Sequence, residues 1–408
     1  CVLLEILTMK SLHNTLYLFL FLVALWGMFF SSLKYFIWGS LDGSLSPSLE
    51  EISGYLSFWG IFAYLIGASF AKVFLKKYYL LSLSLLTFFA IFCAYIFGFN
   101  TNVWLAFTLI CLWFFYGLWS VVKNVLVALE IEKTGYKDTT INAFAEIIFI
   151  ISLIGGTIWG NALFAILWNQ GYLVILGLLG LTAAISLKLG YETINFNDLI
   201  KNGWKKYFGS RKYEILISLK QAFPEFQKVF QKYTPVMFVS ALLWTLSTLV
   251  SQVSVSLSME RFALSSTSAS TLFLFSALGA IIGNGLSIKM HSKRWLYWIG
   301  CISVFSLLLL CYGIFLQSFT MMALLATLLG FFFGASANLL DGYFIKKISE
   351  DNVKEYGSSS NGLTLSGMLF VGMFLAHFLS LCLGQIVTIA LLGAVMWISS
   401  IILYFRVR

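Results

Sequence analysis

The stretch that decides the fold reads FFYGLWSVVKNVLVALE (114–130), IEKTGYKDTT (131–140) and INAFAEIIFIISLIGGTIWG (141–160). Two long apolar segments flank a short charged elbow, and each carries an ionisable residue inside it, Lys123 in the first and Glu146 in the second. A related pattern begins at Phe331: FFFGASANLLDGYFIKKISEDNVKEYGSSSNGLTLSG. Aligning Phe114-Phe115-Tyr116-Gly117 with Phe331-Phe332-Phe333-Gly334 brings the charged turns, and Asn142 with Asn361, into near register.

Working outward, apolar runs of this kind recur along all 408 residues. The chain is 60% hydrophobic, 18% aromatic and 11% charged, with a mean hydropathy of +0.91. A soluble domain is about one quarter charged, and 18 or more apolar residues in helix cross a hydrocarbon core of about 30 Å. Backbone groups in lipid must pair internally, so such runs are helices. The pattern predicts twelve spans, near 15–38, 52–72, 78–98, 103–129, 140–166, 171–190, 235–258, 267–289, 295–316, 319–345, 358–381 and 385–405. The first run is too long for the core of a secretion signal and is expected to be a retained span.

Charge placement gives an orientation. Of the 26 Lys and Arg residues, all but Arg261 and the two inside spans, Lys34 and Lys123, fall on one side. Basic loops stay in the cytoplasm, which predicts cytoplasmic termini and a cytoplasmic central segment. The expected organisation is a cytoplasmic N-terminus (1–14), a six-helix half (15–190), a linker (191–233) and a second six-helix half (234–408). Two parallel repeats of this kind are related by an axis along the membrane normal. In the linker, Ile215, Leu219, Phe223, Phe226 and Phe230 share one helical stripe, as in a helix lying on the inner leaflet, with Pro224 interrupting it.

The net charge of +9 is explained by topology and does not point to nucleic acid. The six cysteines lack metal-ligand spacing, and the three histidines, His13, His291 and His377, are far apart. No phosphate-cradling glycine loop and no catalytic triad pattern occurs. Neither an enzyme activity nor a cofactor is expected.

Ionisable groups inside a membrane cost about 2.5–3.5 kcal/mol on insertion scales, so they mark partners or wet cavities. Four qualify: Lys34, Lys123, Glu146 and Asp341. Two arrangements are open. Lys123 pairs with Glu146 inside one half, or it meets Asp341 across the pseudo-twofold axis as an inner gate. Lys34 either faces an anionic substrate or snorkels to the headgroups near Trp38. His377 is a candidate proton relay. Gly155, Gly156, Gly160, Gly279, Gly283 and Gly285 are expected to let helices approach closely.

Twelve spans, inward termini and a central linker resemble the major facilitator superfamily. Within it, Lys123, Leu126, Leu129-Glu130, Asn142, Glu146 and Gly155-Gly156 resemble the bacterial lysophospholipid transporters, with Asn338, Gly357 and Asn361 in the second half. The superfamily's loop signature after the second span is reduced here to Gly67 and Lys72, Lys76 and Lys77, with Ala71 where an Asp is usual. The acidic pair of that family's first span is replaced by Trp26-Gly27-Met28-Phe29.

The resemblance implies alternating-access transport in the bacterial inner membrane, with the lipid bilayer, an amphiphile such as lysophospholipid and a coupling ion as partners. Lys34, Lys123, Asn142, Glu146, Asn338, Asp341 and Asn361 are its implied binding or gating residues. A multidrug or other amphiphile exporter of the same superfamily is the runner-up, and a membrane-embedded lipid-modifying enzyme the third reading.

Overall fold

The computed structural model describes residues 14–42, 138–167, 235–251, 266–290, 295–350 and 378–407, with scattered positions in 62–66, 110–131, 253–264 and 371–376. Among these residues every regular element is helical. The helices are α1 (Asn14–Asp42), α2 (Asp138–Leu167), α3 (Pro235–Ser251), α4 (Ser266–Ser287), α5 (Trp295–Leu310), α6 (Tyr312–Phe315), α7 (Phe319–Glu350) and α8 (Gln385–Val407). The predicted linker (191–233) with its amphipathic stripe lies outside the described residues, as do Asn361 and His377.

Each helix follows from a long apolar run, which outweighs the turn-forming Asn284-Gly285 and Asp341-Gly342 pairs inside α4 and α7. α7 outlasts its expected span, continuing through Lys346, Lys347 and Glu350, because a helix leaving the apolar layer keeps its own hydrogen bonds. The expected span 295–316 is interrupted: α5 ends at Leu310 and α6 restarts at Tyr312. The break is mild, since the Cys311 N–H still reaches the Leu307 carbonyl at 3.2 Å. A sharper stop precedes α8, where Gly384 sits at φ +81°, a conformation that costs glycine nothing and a side chain a steric clash.

α1 packs along α2, α4 along α7, and α5 against both α7 and α8. α2 also lies against α4 and α7, which joins the N-terminal helices to the C-terminal ones. The C-terminal core is built of Leu243, Leu246, Trp298, Ile302, Phe305, Leu309, Leu339 and Ile389, all essentially inaccessible. Large apolar side chains such as Ile158, Ile282, Leu296, Phe378, Ile402 and Phe405 are exposed on the outside. An apolar exterior around an apolar core suits a lipid surround.

Two kinds of seam hold the helices together. Between α1 and the 110–131 segment the seam is aromatic: Trp26 stacks on Trp119 (centroids 4.9 Å apart, planes 13°) and Phe30 on Tyr116 (4.3 Å). Tyr116 also faces Phe149 of α2. Its repeat counterpart Phe333 meets Trp244 of α3 edge-on at 4.8 Å, so the aligned motif has the same kind of job in both copies. Between α4 and α7 the seam is backbone on backbone. A Cβ on Gly279 would lie 2.0 Å from the Thr327 carbonyl oxygen, and one on Gly283 would lie 2.1 Å from that of Phe331. Gly330 and Gly334 return the contact against Ser276 and Ala280.

Gly156 has the same role against Met28 of α1, whereas Gly155, expected to share it, has open space where its Cβ would be. The reason is geometric: neighbours in a helix differ by about 100° around the axis, so only one of two adjacent glycines faces the partner.

Candidate functional site: a polar bridge between the halves

Asn142 and Glu146 are one helical turn apart on α2, near its first residues, on the face that meets α4, α7 and the 110–131 segment. Lys123, buried in that segment, forms an ion pair with Glu146, and its ammonium lies 5.5 Å from the Phe149 ring centroid. Cation and carboxylate are both largely removed from solvent, the regime in which a pair survives only with good geometry and additional partners.

Beside the pair a chain of hydrogen bonds crosses three helices. Asn142 Nδ2 donates to Asn338 Oδ1 of α7 (2.7 Å). Asn338 Nδ2 donates to Ser287 Oγ of α4, and Ser287 Oγ donates to the Asn284 carbonyl (2.6 Å). Asn284 Nδ2 turns back to the Ala280 carbonyl (2.9 Å). All four side chains are buried, and Asn142 and Asn338 are fully so. Buried amides are costly unless paired; here Asn142 donates to Asn338 across the boundary between the two sets of helices, while Asn142 Oδ1 has no hydrogen-bond partner.

Asp341, one turn beyond Asn338 on α7, is partly buried. Its carboxyl lies against the Asn142 amide and within the fields of both Glu146 and Lys123. The sequence-predicted residues Lys123, Asn142, Glu146, Asn338 and Asp341 are therefore one cluster. Of the two arrangements open for Lys123, the ion pair the structure shows is the one within a half, to Glu146, with Asp341 adjacent.

Lys34 belongs to α1, two turns past Trp26, and is separate from this cluster in sequence and on a different helix; its side chain lies outside the described residues. Ser287 and Asn284 were not anticipated. Their signal was available in Gly283-Asn284-Gly285, an amide between two glycines in a helix otherwise free of strong polar groups.

A second polar locus lies within the C-terminal helices. Ser247, Ser251, Ser254 and Ser276, with Phe305 and Leu329, line a small recess of about 20 Å³ among the C-terminal helices. Ser254 and the Tyr312 hydroxyl share a hydrogen bond of 2.9 Å at its edge. Along the same helix, side chains bond back to carbonyls four residues earlier, Ser251 to Ser247 and Thr248 to Trp244.

No family model matches the chain, and no curated protein sequence matches it. Solved structures do. The chain is similar to XylE, a proton:xylose symporter of the major facilitator superfamily, at 11% identity over 97% of this chain and 96% of that one, with a TM-score of 0.63. It is similar to the human organic anion transporter MFSD10 (TETRAN) at 13% identity, 96% and 99% coverage and a TM-score of 0.61. It is also similar to FucP, a major facilitator transporter in its outward conformation, at 15% identity, 95% and 98% coverage and a TM-score of 0.58. Identities of this size speak for architecture alone. The chain has the major facilitator fold, an all-helical multi-pass integral membrane architecture of two pseudo-symmetric six-helix halves.

Proposed function

We propose that the chain is a secondary transporter that works by alternating access, its two halves rocking around a central site. The observation that carries this reading is the Asn142–Asn338 hydrogen bond beside the Lys123–Glu146 pair and Asp341. A static scaffold gains little from amides and charges at the junction of its two halves, since an apolar contact there would be at least as stable. A junction that must break and re-form needs groups that water can solvate when it opens. In this reading the cluster is the inner gate, counted at roughly 10 Å from the basic-loop end of its helices by their rise per residue, with cargo held above it.

The one-sided basic loops support cytoplasmic termini, the four-domain division at 14, 190 and 233, and an inner membrane location in a bacterium. The cargo is an amphiphile, anionic or zwitterionic, of which lysophospholipid is the leading instance through the Lys123, Asn142 and Glu146 pattern. Lys34 is assigned to the anionic head.

Purified protein in vesicles, offered labelled lysophosphatidylethanolamine on one side and a lipophilic cationic dye in a parallel set, tests this. Protein-dependent movement of the lysolipid supports the leading reading. Movement of the dye alone replaces the cargo with that of the runner-up exporter. Chemical conversion of the lipid by the purified protein would overturn transport altogether.

A further inference from the structure

Two serines of the C-terminal helices behave unlike their neighbours. Hydroxyls elsewhere on these helices spend their proton on their own backbone: Ser251 on the Ser247 carbonyl, Ser258 on that of Ser254, Ser306 on that of Ile302 and Thr327 on that of Ala323. Ser247 and Ser276 do not. Neither hydroxyl has a hydrogen-bond partner among the described residues, and both residues line the recess, Ser247 from α3 and Ser276 from α4. Ser247 belongs to a longer stripe. Ser240, Ser247, Ser251, Ser254 and Ser258 fall within about 60° of one another on a helix that turns 100° per residue, so one side of α3 and of the helical positions after it carries hydroxyls.

A further proton is available at the edge of the recess. Ser254 and Tyr312 share one hydrogen bond in which either oxygen can donate, which leaves one of their two protons for another acceptor. The rest of the wall is apolar, Val250, Phe305 and Leu329 included, and no charged residue lines it. Its volume is about 20 Å³, and a single water needs about 10–15 Å³. Ser247, Ser251 and Ser276 are half-buried and Phe273 is exposed, so the recess has a mouth.

The geometry points to a seat for one alcohol hydroxyl of the cargo, held by Ser247 and Ser276. A phosphate or an ammonium group is too large for it, and the uncharged wall offers such groups no counter-charge. A hydroxyl fits because it both donates and accepts, as do the serines that face it, and it replaces a water bond for bond. An ester or ether oxygen at the same place only accepts, and brings its substituent with it. The assignment rests on the transporter reading above and narrows its cargo. For a glycerolipid amphiphile the group is the free glycerol hydroxyl of the single-chain form. A two-chain lipid has that oxygen esterified, so the seat separates single-chain from two-chain lipids at the glycerol, independently of the head group.

Vesicles holding the full-length protein test this with three lipids that share one head group: lysophosphatidylethanolamine, its analogue with hydrogen in place of the free hydroxyl, and its analogue with that hydroxyl methylated. The half-saturating amount of membrane-bound lipid for protein-dependent movement is the readout. The wild type is expected to need about tenfold more of either analogue, the scale of one or two lost hydrogen bonds. Ser247→Ala combined with Ser276→Ala should raise the value for the hydroxyl lipid to that of the hydrogen analogue, whose own value stays in place. Damage to packing alone would raise all the values together. Should the double variant not fold, each single variant is expected to reduce the preference. Thr248→Ala removes a hydroxyl that is bonded to the Trp244 carbonyl and lies outside the recess, and should keep the preference whole.

Equal values for the three lipids in the wild type overturn the seat and leave lysolipid transport standing, as does a preference that survives in the double variant. Movement of none of the lipids overturns the lysolipid cargo and the seat with it.

Discussion

Alanine at Gly279 or Gly283 should force α4 and α7 apart, and the structure says by how much. The added Cβ would lie 2.0 Å from the Thr327 carbonyl oxygen in one case and 2.1 Å from that of Phe331 in the other. Ordinary contact begins near 3.4 Å. The obstacles are backbone atoms, so no rotamer change relieves them, and the helices must separate locally by about 1 Å or more. Overpacking of this order costs about 1–3 kcal/mol, and the separation also stretches the Asn338–Ser287 contact between the same two helices.

The control is internal. Gly155 and Gly300 have open space where a Cβ would go, and glycine-to-alanine in a helix gains up to about 1 kcal/mol in propensity. Thermal unfolding of the four single variants, solubilised in one detergent, should split them into two destabilised (Gly279→Ala, Gly283→Ala) and two neutral or stabilised. Equal midpoints across the four would refute the close approach of α4 and α7.

Lys123→Met should destabilise the chain by about 3 kcal/mol, because it strands Glu146. Adding Glu146→Gln should recover most of the loss in the same unfolding assay. Asn142→Ala and Asn338→Ala should each cost about 1–3 kcal/mol and show strong non-additivity in a double-mutant cycle, while additive losses would separate them. A charge-swapped pair, Lys123→Asp with Asp341→Lys, should transport better than either single variant if the two close one gate, and no better if they do not. Tyr312→Phe should lose about 1 kcal/mol through the Ser254 partner, with Tyr312→Phe/Ser254→Ala no worse than the single change.

Much of the fold was legible because hydrophobic length is so constrained in lipid. Spans near 140–166 and 385–405 were bounded to within a few residues, as was the start of 319–345, whereas α7 runs on through Lys346, Lys347 and Glu350 where charge was expected to end it. The break at Cys311 was not readable, since Leu310-Cys311-Tyr312 is as apolar as its flanks and contains no turn residue. Site residues with a charge or amide in an apolar helix, Lys123, Glu146, Asn142, Asn338 and Asp341, were visible one at a time. Their joining was not, because which face of α2 meets α7 depends on packing between elements nearly 200 residues apart. Ser287 was missed because a serine at a helix end reads as an ordinary terminus, although here its hydroxyl links two helices.

The contrast between the two seams bears on how the halves can deform. Parallel ring faces such as Trp26 on Trp119 present a smooth, nearly flat potential, so one helix can slip along the other by fractions of a ring width while staying in contact. Interlocked backbones such as Gly279 and Gly283 against Thr327 and Phe331 are corrugated at the pitch of the helix, and slip there means climbing over a carbonyl. The chain thus holds a bearing between α1 and the 110–131 segment, and splines between α4 and α7 and, through Gly156 against Met28, between α1 and α2. Bending is expected to concentrate between α1 and the 110–131 segment, with α4 and α7 turning as one rigid lever and α1 and α2 as another.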